Sequence, residues 1–208
     1  MKALFIPAKL KSEIDKYEIS KISKKLPKKI AVAYSIQYED IALKIKNFLS
    51  KSHGITSFVQ VLGCSKPNFS KGTQAVLLIT DGKFHGISLA LQTKLPIYIL
   101  YKNRLTKISE QDIEILEKKQ KASYLKFLNA DKIGILISTK PGQQNLKKAL
   151  ETKNKIKNKK SYLFISNNID VNEFENFGLD SWVNTACPRL DMESSRIINI
   201  KRIENVEE

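Results

Sequence analysis

Cysteine is scarce in this sequence, which contains only Cys64 and Cys187. The two residues lie far apart in the chain and neither belongs to a Cys-x-x-Cys pair, so the pattern argues against a structural zinc site. Because no secretory signal accompanies them, a disulfide is not expected either. Two interpretations stay open: buried apolar thiols, or two distant ligands of one shared cofactor.

Long apolar runs are also missing. No stretch approaches the roughly 18 residues that a membrane-spanning helix needs. The N-terminal segment reaches Pro7 and Lys9 before the apolar centre of a signal peptide can form, and no small-residue cleavage site follows. We therefore expect a soluble protein located in the cytoplasm.

Acidic residues are few compared with basic ones: the sequence contains 21 Asp and Glu and 36 Lys and Arg. The formal net charge is therefore +15. Such a charge favours acidic partners through long-range attraction. Lysine greatly outnumbers arginine, however, and aromatic residues are not interleaved with the basic ones as they are in specific nucleic-acid readers. RNA stays open as a partner but is not specifically indicated, and a lysine-rich solvated surface explains the charge equally well.

Apolar runs of strand length alternate with segments of helical periodicity from residue 29 onward. Near-continuous apolar strands separated by helices predict parallel sheets covered on both faces. The sequence thus indicates an α/β fold of two small, three-layer, parallel-sheet domains, residues 29–107 and 108–208, joined near residues 104–108. Residues 1–28 are interpreted as an N-terminal arm, and Ser109 is predicted to cap a long helix. The predicted strands are KIAVAYS, ITSFVQVLG, QAVLLIT, PIYILY, KIGILIS, YLFIS and, last, DSWVNTA.

Reactive side chains collect at the predicted carboxyl ends of these strands. Cys64 follows one strand, Lys140 and Gln143 follow another, and Cys187 and Arg189 follow a third. In parallel sheets such ends meet at one edge, where binding groups gather. Strand ends also receive polar residues because the core has no room for them, so a shared site and a solvated edge stay equally open at this point.

Four segments resemble successive signatures of the diphthamide synthase family: VQVLGCSKPN, TDGKFHGISLAL, GILISTKPGQ and DSWVNTACPRLDME. They occur in the family's order and spacing, and the resemblance extends over roughly residues 29–192. Members of that family have three similar α/β domains that each supply one cysteine to a central [4Fe-4S] cluster, and they work as dimers. The sequence resembles the second and third domains, which implies that residues 1–28 are a remnant of the first.

The resemblance implies that the protein is a transferase with an iron–sulfur cluster and a radical mechanism, and that it catalyses the first step of diphthamide biosynthesis. In that reaction a reduced cluster cleaves S-adenosylmethionine, and a 3-amino-3-carboxypropyl group is added to a histidine of translation elongation factor 2. Thiolates suit the cluster because they are soft ligands, and three of them leave one iron open for the substrate. The implied partners are elongation factor 2, a reductant protein, and either a second copy or a fuller family subunit.

Two other functions stay open beside this transferase activity. One is a non-catalytic subunit that holds or reduces a partner's cluster, and the other is a related transferase whose acceptor is another molecule such as RNA. The family, together with the lysine-rich composition, favours an archaeal source.

Carried over residue by residue, Cys64 and Cys187 match the second and third cluster ligands of the family. The first ligand has no counterpart in residues 1–28. Gln37 lies in an element similar to the family's T-x-Q-H, but Tyr38 stands in place of the histidine. The remaining implied contacts to the cofactor, substrate or pocket are Ser138, Thr139, Lys140, Gln143, Arg189, Gly82 and His85.

These implied contacts have different expected roles. The STKPGQ segment, residues 138–143, would hold the carboxylate and amino group of the methionine moiety, assisted by backbone N–H groups at the start of the following helix, which is predicted to begin at about Gln143. Arg189 offers a forked cation that suits a carboxylate. Gly82 and His85 belong to a segment similar to the family's G-x-F-H, and His85 would line the pocket.

Overall fold

The structure, a computed structural model, describes residues 4, 6–11 and 13–204. Contacts within the chain divide it into unit 1, Met1–Ile113, and unit 2, Glu114–Glu208. The division falls inside one 20-residue helix, Glu110–Asn129, a few residues beyond the boundary that the sequence predicted. In the described part of the chain, no helix has both the length and the apolar character required to span a bilayer.

Unit 1 is built on a mixed sheet of strands β1 (Lys29–Tyr34), β2 (Gly54–Gln60), β3 (Ala75–Ile79), β4 (Ile97–Tyr101) and β5 (Arg104–Lys107). Their order within the described chain is β2-β1-β3-β4-β5. Strands β1 to β4 are parallel, and β5 pairs antiparallel with β4. The helices are α1 (Lys16–Ser23), α2 (Glu39–Leu49) and α3 (Phe84–Thr93).

Helices cover both faces of this first sheet. As a result, β1 and β3 are buried almost along their whole length. On one face, Ile19 and Ile22 of α1 and Ile45 of α2 pack against alternate residues of the two strands. On the other face, Leu89 and Ala90 of α3 fill the same role. The α/β fold predicted from the apolar runs is confirmed.

Unit 2 contains a second sheet of strands β6 (Lys132–Ser138), β7 (Lys160–Ser166), β8 (Ser181–Asn184) and β9 (Ile197–Asn199). Their order in the described residues is β7-β6-β8-β9, and every pair is parallel. The helices are α4 (Glu110–Asn129), α5 (Leu146–Lys155) and α6 (Ile200–Glu204), and two 3-10 segments, Val171–Phe177 and Pro188–Met192, complete the unit.

The two faces of the second sheet are covered differently. Phe127 of α4, Ala149 of α5 and Ile203 of α6 pack on one face. On the other face the 3-10 segment Val171–Phe177 takes the place of a helix and contributes Phe174. The three layers are retained, although one of them is a 3-10 segment.

Trp182 is the largest fully buried side chain of unit 2, and a glycine makes room for it. Trp182 of β8 lies opposite Gly134 of β6. A Cβ atom at Gly134 would lie 2.2 Å from Cε3 of the indole, so only glycine permits this approach. The indole stacks on Phe174 with 4.1 Å between ring centroids.

The cap of α4 agrees with the sequence. The Oγ of Ser109 accepts a hydrogen bond from the backbone N–H of Asp112 at 3.1 Å, and the backbone N–H of Ser109 donates to Oδ2 of Asp112 at 3.2 Å. This reciprocal pair satisfies N–H groups that have no partner inside the helix.

Two short strands were not predicted. Residues 104–107, expected to connect the two domains, form the antiparallel edge strand β5, because a tight turn with Lys102 at φ 53° folds them back on β4. DSWVNTA is not the last strand, since β9 and α6 follow it. At four and three residues, both strands are too short to produce a periodic pattern.

Candidate functional site at the carboxyl ends of the strands

Cys64 lies on a short turn after β2. The Oγ of Ser65 accepts a hydrogen bond from the backbone N–H of Leu62 at 2.9 Å and donates one to the Leu62 carbonyl at 2.8 Å. The backbone N–H of Ser65 also donates to that carbonyl, at 3.1 Å. The turn closes on itself and leaves Cys64 as an exposed, free thiol.

The start of α3 packs against this turn. A Cβ atom at Gly63 would lie 2.3 Å from Cε1 of Phe84, so the Phe84 ring rests on the backbone next to Cys64. The next residue is His85, whose ring centroid lies 5.1 Å from that of Phe84. Gly82, which has a positive φ of 67°, lies two residues before the start of α3. The structure therefore brings the turn that carries Cys64 and the segment with Gly82 and His85 to one edge of the first sheet.

Gln37 follows β1 at the same edge, in a 3-10 turn, Ile36–Tyr38. It is exposed, and its carbonyl accepts a hydrogen bond from the backbone N–H of Leu10 at 2.8 Å. Tyr38, in contrast, is buried and lines a cavity of about 250 Å³ together with Ile79 and Leu100. Burial raises the pKa of the Tyr38 hydroxyl, and the Asp81 carboxylate raises it further. The tyrosine that replaces the family's histidine is therefore packed inward.

The STKPGQ segment of unit 2 forms a tight loop after β6. The Oγ of the buried Ser138 accepts a hydrogen bond from the backbone N–H of Lys140 at 3.1 Å, and the N–H of Thr139 donates to the Ser166 carbonyl at 3.0 Å. The N–H of Gln143 donates to the Lys140 carbonyl at 3.0 Å. Ser138 thus holds the loop together, while Thr139 and Lys140 are exposed and Gln143 is partly buried.

The helix after this loop begins later than the sequence predicted. Helix α5 begins at Leu146 rather than near Gln143, and its N-cap residue is Asn145. The reason is that Asn145, with φ −129° and ψ 49°, lies outside the helical region of the backbone, so the residues before it cannot belong to α5. The Nδ2 of Asn145 donates to the Thr185 carbonyl at 2.7 Å, so it links this loop to the one that follows β8.

Cys187 lies in the loop after β8 and begins the 3-10 segment Pro188–Met192. It is a free, partly buried thiol. The Nδ2 of Asn184 donates to the Cys187 carbonyl at 2.8 Å and to Oδ1 of Asp191 at 2.7 Å. The Oδ1 of Asn184 accepts a hydrogen bond from the backbone N–H of Ala186 at 2.8 Å. One buried amide therefore fixes both ends of the short segment that carries the thiol.

Asp191 completes this arrangement. Its Oδ2 accepts a hydrogen bond from Nδ2 of Asn199, the last residue of β9, at 2.8 Å. Burial raises the pKa of the Asp191 carboxyl to about 6, although both asparagine side chains and the positive charge of Arg202 oppose the shift. Sequence reasoning missed Asn184, Asp191 and Asn199. The sequence contained one signal that could have pointed to them: Asn184 stands at the end of an otherwise apolar strand.

The two units thus present two groups of predicted site residues. Strands β1, β2 and β3 are parallel neighbours, so Gln37, Cys64 and the segment with Gly82 and His85 share one edge of the first sheet. Strands β6 and β8 are parallel neighbours too, which places the Ser138–Gln143 loop and the loop with Cys187 and the exposed Arg189 at one edge of the second.

The family model described as "Putative diphthamide synthesis protein" matches residues 1–196. The chain belongs to this family. The 2-(3-amino-3-carboxypropyl)histidine synthase of Pyrococcus horikoshii is 28% identical over 184 residues, which are 82% of this chain and 53% of that protein. Subunit 1 of the synthase of Yarrowia lipolytica is 27% identical over 181 residues, 79% of this chain and 41% of that protein. The chain therefore spans about half the length of the curated relatives it matches, or less.

Two solved structures of family members are similar to this chain. Dph2 from Pyrococcus horikoshii superposes with a TM-score of 0.76 at 26% identity, covering 91% of this chain and 60% of that chain. A second structure of that protein, determined with a 4Fe-4S cluster, gives a TM-score of 0.75 at 27% identity and the same coverage.

The thiols of this chain match such a cluster in chemistry but not in number. Both cysteines are free, and each lies in a loop at the carboxyl edge of a parallel sheet. Thiolates are the usual ligands of [4Fe-4S] clusters, which most often take four of them. The 208 residues contain two cysteines, and the described part contains no group of three or more His, Cys, Asp or Glu residues placed to hold a metal ion.

Proposed function

We propose that this chain takes part in the transfer of a 3-amino-3-carboxypropyl group from S-adenosylmethionine to a histidine of translation elongation factor 2 in the cytoplasm. The observation that carries this proposal is that both cysteines are free thiols on strand-end loops of a chain whose residues 1–196 match the diphthamide synthesis family. The names of its relatives, 2-(3-amino-3-carboxypropyl)histidine synthases, support the same activity.

In this proposal Cys64 and Cys187 are two ligands of a [4Fe-4S] cluster. At least one further ligand comes from outside these 208 residues, in a homodimer or a heterodimer with a fuller family subunit. When bound and reduced by a partner protein, the cluster supplies the electron that cleaves the bond between the sulfur and the γ-carbon of S-adenosylmethionine.

The side chains beside the two thiols have a binding role in this proposal. Lys140 and Arg189 are exposed cations at the same edge of the second sheet as Cys187, and they would bind the carboxylate of the methionine moiety. Thr139 and Gln143 would hydrogen-bond its polar groups, and Ser138 would keep their loop in shape through its bond to the Lys140 N–H. Gly82, His85 and Gln37, at the edge of the first sheet that carries Cys64, would line the pocket beside that thiol.

The test is an anaerobic reconstitution of the purified chain with iron and sulfide. We expect iron binding with the visible charge-transfer absorbance of a thiolate-ligated cluster, and loss of that absorbance in Cys64→Ser and in Cys187→Ser. Lys140→Ala is the matched control, since it should retain the absorbance and lose S-adenosylmethionine binding. Full absorbance in both cysteine variants would exclude the proposed ligands.

A second candidate is a subunit that holds a partner's cluster without catalysing the transfer itself. The small number of thiols favours it, because two ligands leave a cluster dependent on another polypeptide segment. Methylthioadenosine formation after reduction with dithionite separates the two candidates. A transferase that acts as a homodimer forms it from S-adenosylmethionine without another polypeptide. In a heterodimer, Lys140→Ala lowers its formation if this chain binds the substrate and leaves it unchanged if this chain only holds the partner's cluster.

A further inference from the structure

Three polar side chains from three different segments support the loop that carries Cys187. Asn184 ends β8, Asp191 lies in the 3-10 segment Pro188–Met192, and Asn199 ends β9. They form one chain of contacts, from Asn199 Nδ2 to Asp191 Oδ2 at 2.8 Å and from Asn184 Nδ2 to Asp191 Oδ1 at 2.7 Å. We call this set the Asn–Asp–Asn clamp.

The clamp holds the backbone on both sides of the thiol. Asn184 is fully buried, and its side chain makes three hydrogen bonds: to the Cys187 carbonyl, to Asp191, and from the backbone N–H of Ala186. These contacts use both N–H donors and the carbonyl oxygen of the amide. Because an unsatisfied buried amide is costly, few other loop conformations are compatible with Asn184 at this position.

Asp191 sets the orientation of the two asparagines. Its two carboxylate oxygens each accept one amide N–H, so both asparagine side chains must present nitrogen, not oxygen, toward it. That leaves the Asn184 oxygen turned to the Ala186 N–H. An ionised carboxyl supplies an acceptor oxygen to each asparagine, whereas an amide in its place offers only one acceptor oxygen.

We infer that the Asn–Asp–Asn clamp is a positioning device that fixes the Cys187 loop in advance of ligand binding. The role of the fixed loop in holding a thiolate ready for iron rests on the proposed function. The fixation of the loop by the clamp does not depend on that function. Pre-set ligands lose less conformational freedom on binding, which favours retention of the ligand.

The test uses Cys64→Ser as the parent, so that Cys187 is the only thiol of the chain. In this background we compare the alkylation rate of Cys187 by iodoacetamide in the parent, in Asp191→Asn and in Asn199→Ala. Loss of one hydrogen bond of the clamp should raise the rate roughly five-fold, because about 1 kcal/mol of local stability is removed from a partly buried loop. Hydrogen exchange at the Ala186 amide should accelerate in parallel.

Two controls separate positioning from general destabilisation. Asn176→Ala removes an exposed asparagine that bonds only Glu173 among the described residues, and it should leave the rate unchanged. Ile133→Val weakens the core of unit 2 away from the clamp. Fluorescence of Trp182, the only tryptophan of the chain, establishes that each variant is folded.

The outcomes decide the inference whether or not the chain binds iron. Rates that stay at the parent value in folded Asp191→Asn and Asn199→Ala overturn it, as does an equal increase in Ile133→Val. If the reconstituted chain binds no iron, the proposed function fails, and the alkylation rates still decide the inference. If the reconstituted chain with both cysteines binds iron, Asp191→Asn and Asn199→Ala made in that two-cysteine background should release it to a chelator several-fold faster than Asn176→Ala made in the same background.

Discussion

The two cysteine loops reach equivalent positions by different means. Among the described residues, the Cys64 turn is closed by hydrogen bonds between Leu62 and Ser65, the Phe84 ring packs on its Gly63, and its thiol is exposed. The Cys187 loop depends on contacts from the ends of two strands and a 3-10 segment, and its thiol is partly buried. One loop is stabilised locally, and the other by residues that the fold of unit 2 brings together.

This difference has consequences for rigidity. A turn held by hydrogen bonds within four residues and by one partly buried ring opens with little disturbance to the rest of the unit, whereas a loop tied to two strand ends opens only when those ties break. We therefore expect Cys64 to be the adaptable thiol and Cys187 the fixed one. Variants that weaken one support and not the other test this contrast.

The largest effect is expected where the core supports the Cys187 loop. Gly134→Ala would place a methyl group against the fully buried Trp182, whose β8 strand leads directly into the loop. Neither side can move without loss of packing, so we expect unit 2 to lose about 3 kcal/mol. Denaturant unfolding followed by Trp182 fluorescence measures this loss.

The matched variant in unit 1 is Gly63→Ala. It also places a methyl group against an aromatic ring, but Phe84 is only partly buried and can turn away. We expect a loss of about 1 kcal/mol, seen by hydrogen exchange of α3. Equal losses in the two variants would remove the distinction between an adaptable and a fixed loop.

We expect the ionisation of Asp191 to have an intermediate effect on the stability of unit 2. The folded pKa of about 6 exceeds the ordinary 3.8, so the folded state binds this proton more tightly than the unfolded state. This contribution is fully present below pH 3.8 and is lost as the pH rises through about 6. Relative to Asp191→Asn, the wild-type chain should therefore gain about 2 kcal/mol in unit 2 between pH 7 and pH 4.

Asp180 provides a control of opposite sign in the same unit. Its carboxylate accepts hydrogen bonds from the backbone N–H groups of Lys132 at 2.8 Å and Asp131 at 3.0 Å, which lower its pKa. Its contribution is present above pH 3.8 and is lost as the pH falls through that lowered pKa. Stability differences for Asp180→Asn and Asp191→Asn that vary with pH in the same direction would contradict the assignment.

The parts of the fold that depend on local pattern were predictable from the sequence. The apolar runs of β1 and β3 indicated a sheet covered on both faces, and Ser109 was predicted to cap the long helix α4, as it does. The positions of Cys64 and Cys187 after parallel strands followed from the same pattern. Their roles as ligands, and those of Lys140 and Arg189 as substrate contacts, stay predictions.

The parts that depend on register were not predictable. The other two members of the clamp, Asp191 and Asn199, lie seven and fifteen residues beyond Asn184 in the sequence, and the three meet only because β8 and β9 pair in parallel with Asn184 opposite Asn199. No periodic pattern encodes such a pairing. The strand β9 itself has three residues, which is less than two full repeats of an alternating pattern.

The smallest effect is expected from Ser65→Ala, measured in a Cys187→Ser background so that Cys64 is the only thiol. The variant removes both side-chain hydrogen bonds of the turn and keeps the backbone bond between Ser65 and Leu62. Because Cys64 is already exposed, its alkylation rate should change less than about two-fold. A change as large as the one expected for Cys187 in Asp191→Asn would show that Ser65 positions Cys64 as firmly as the clamp positions Cys187, and the two loops would then differ in construction but not in rigidity.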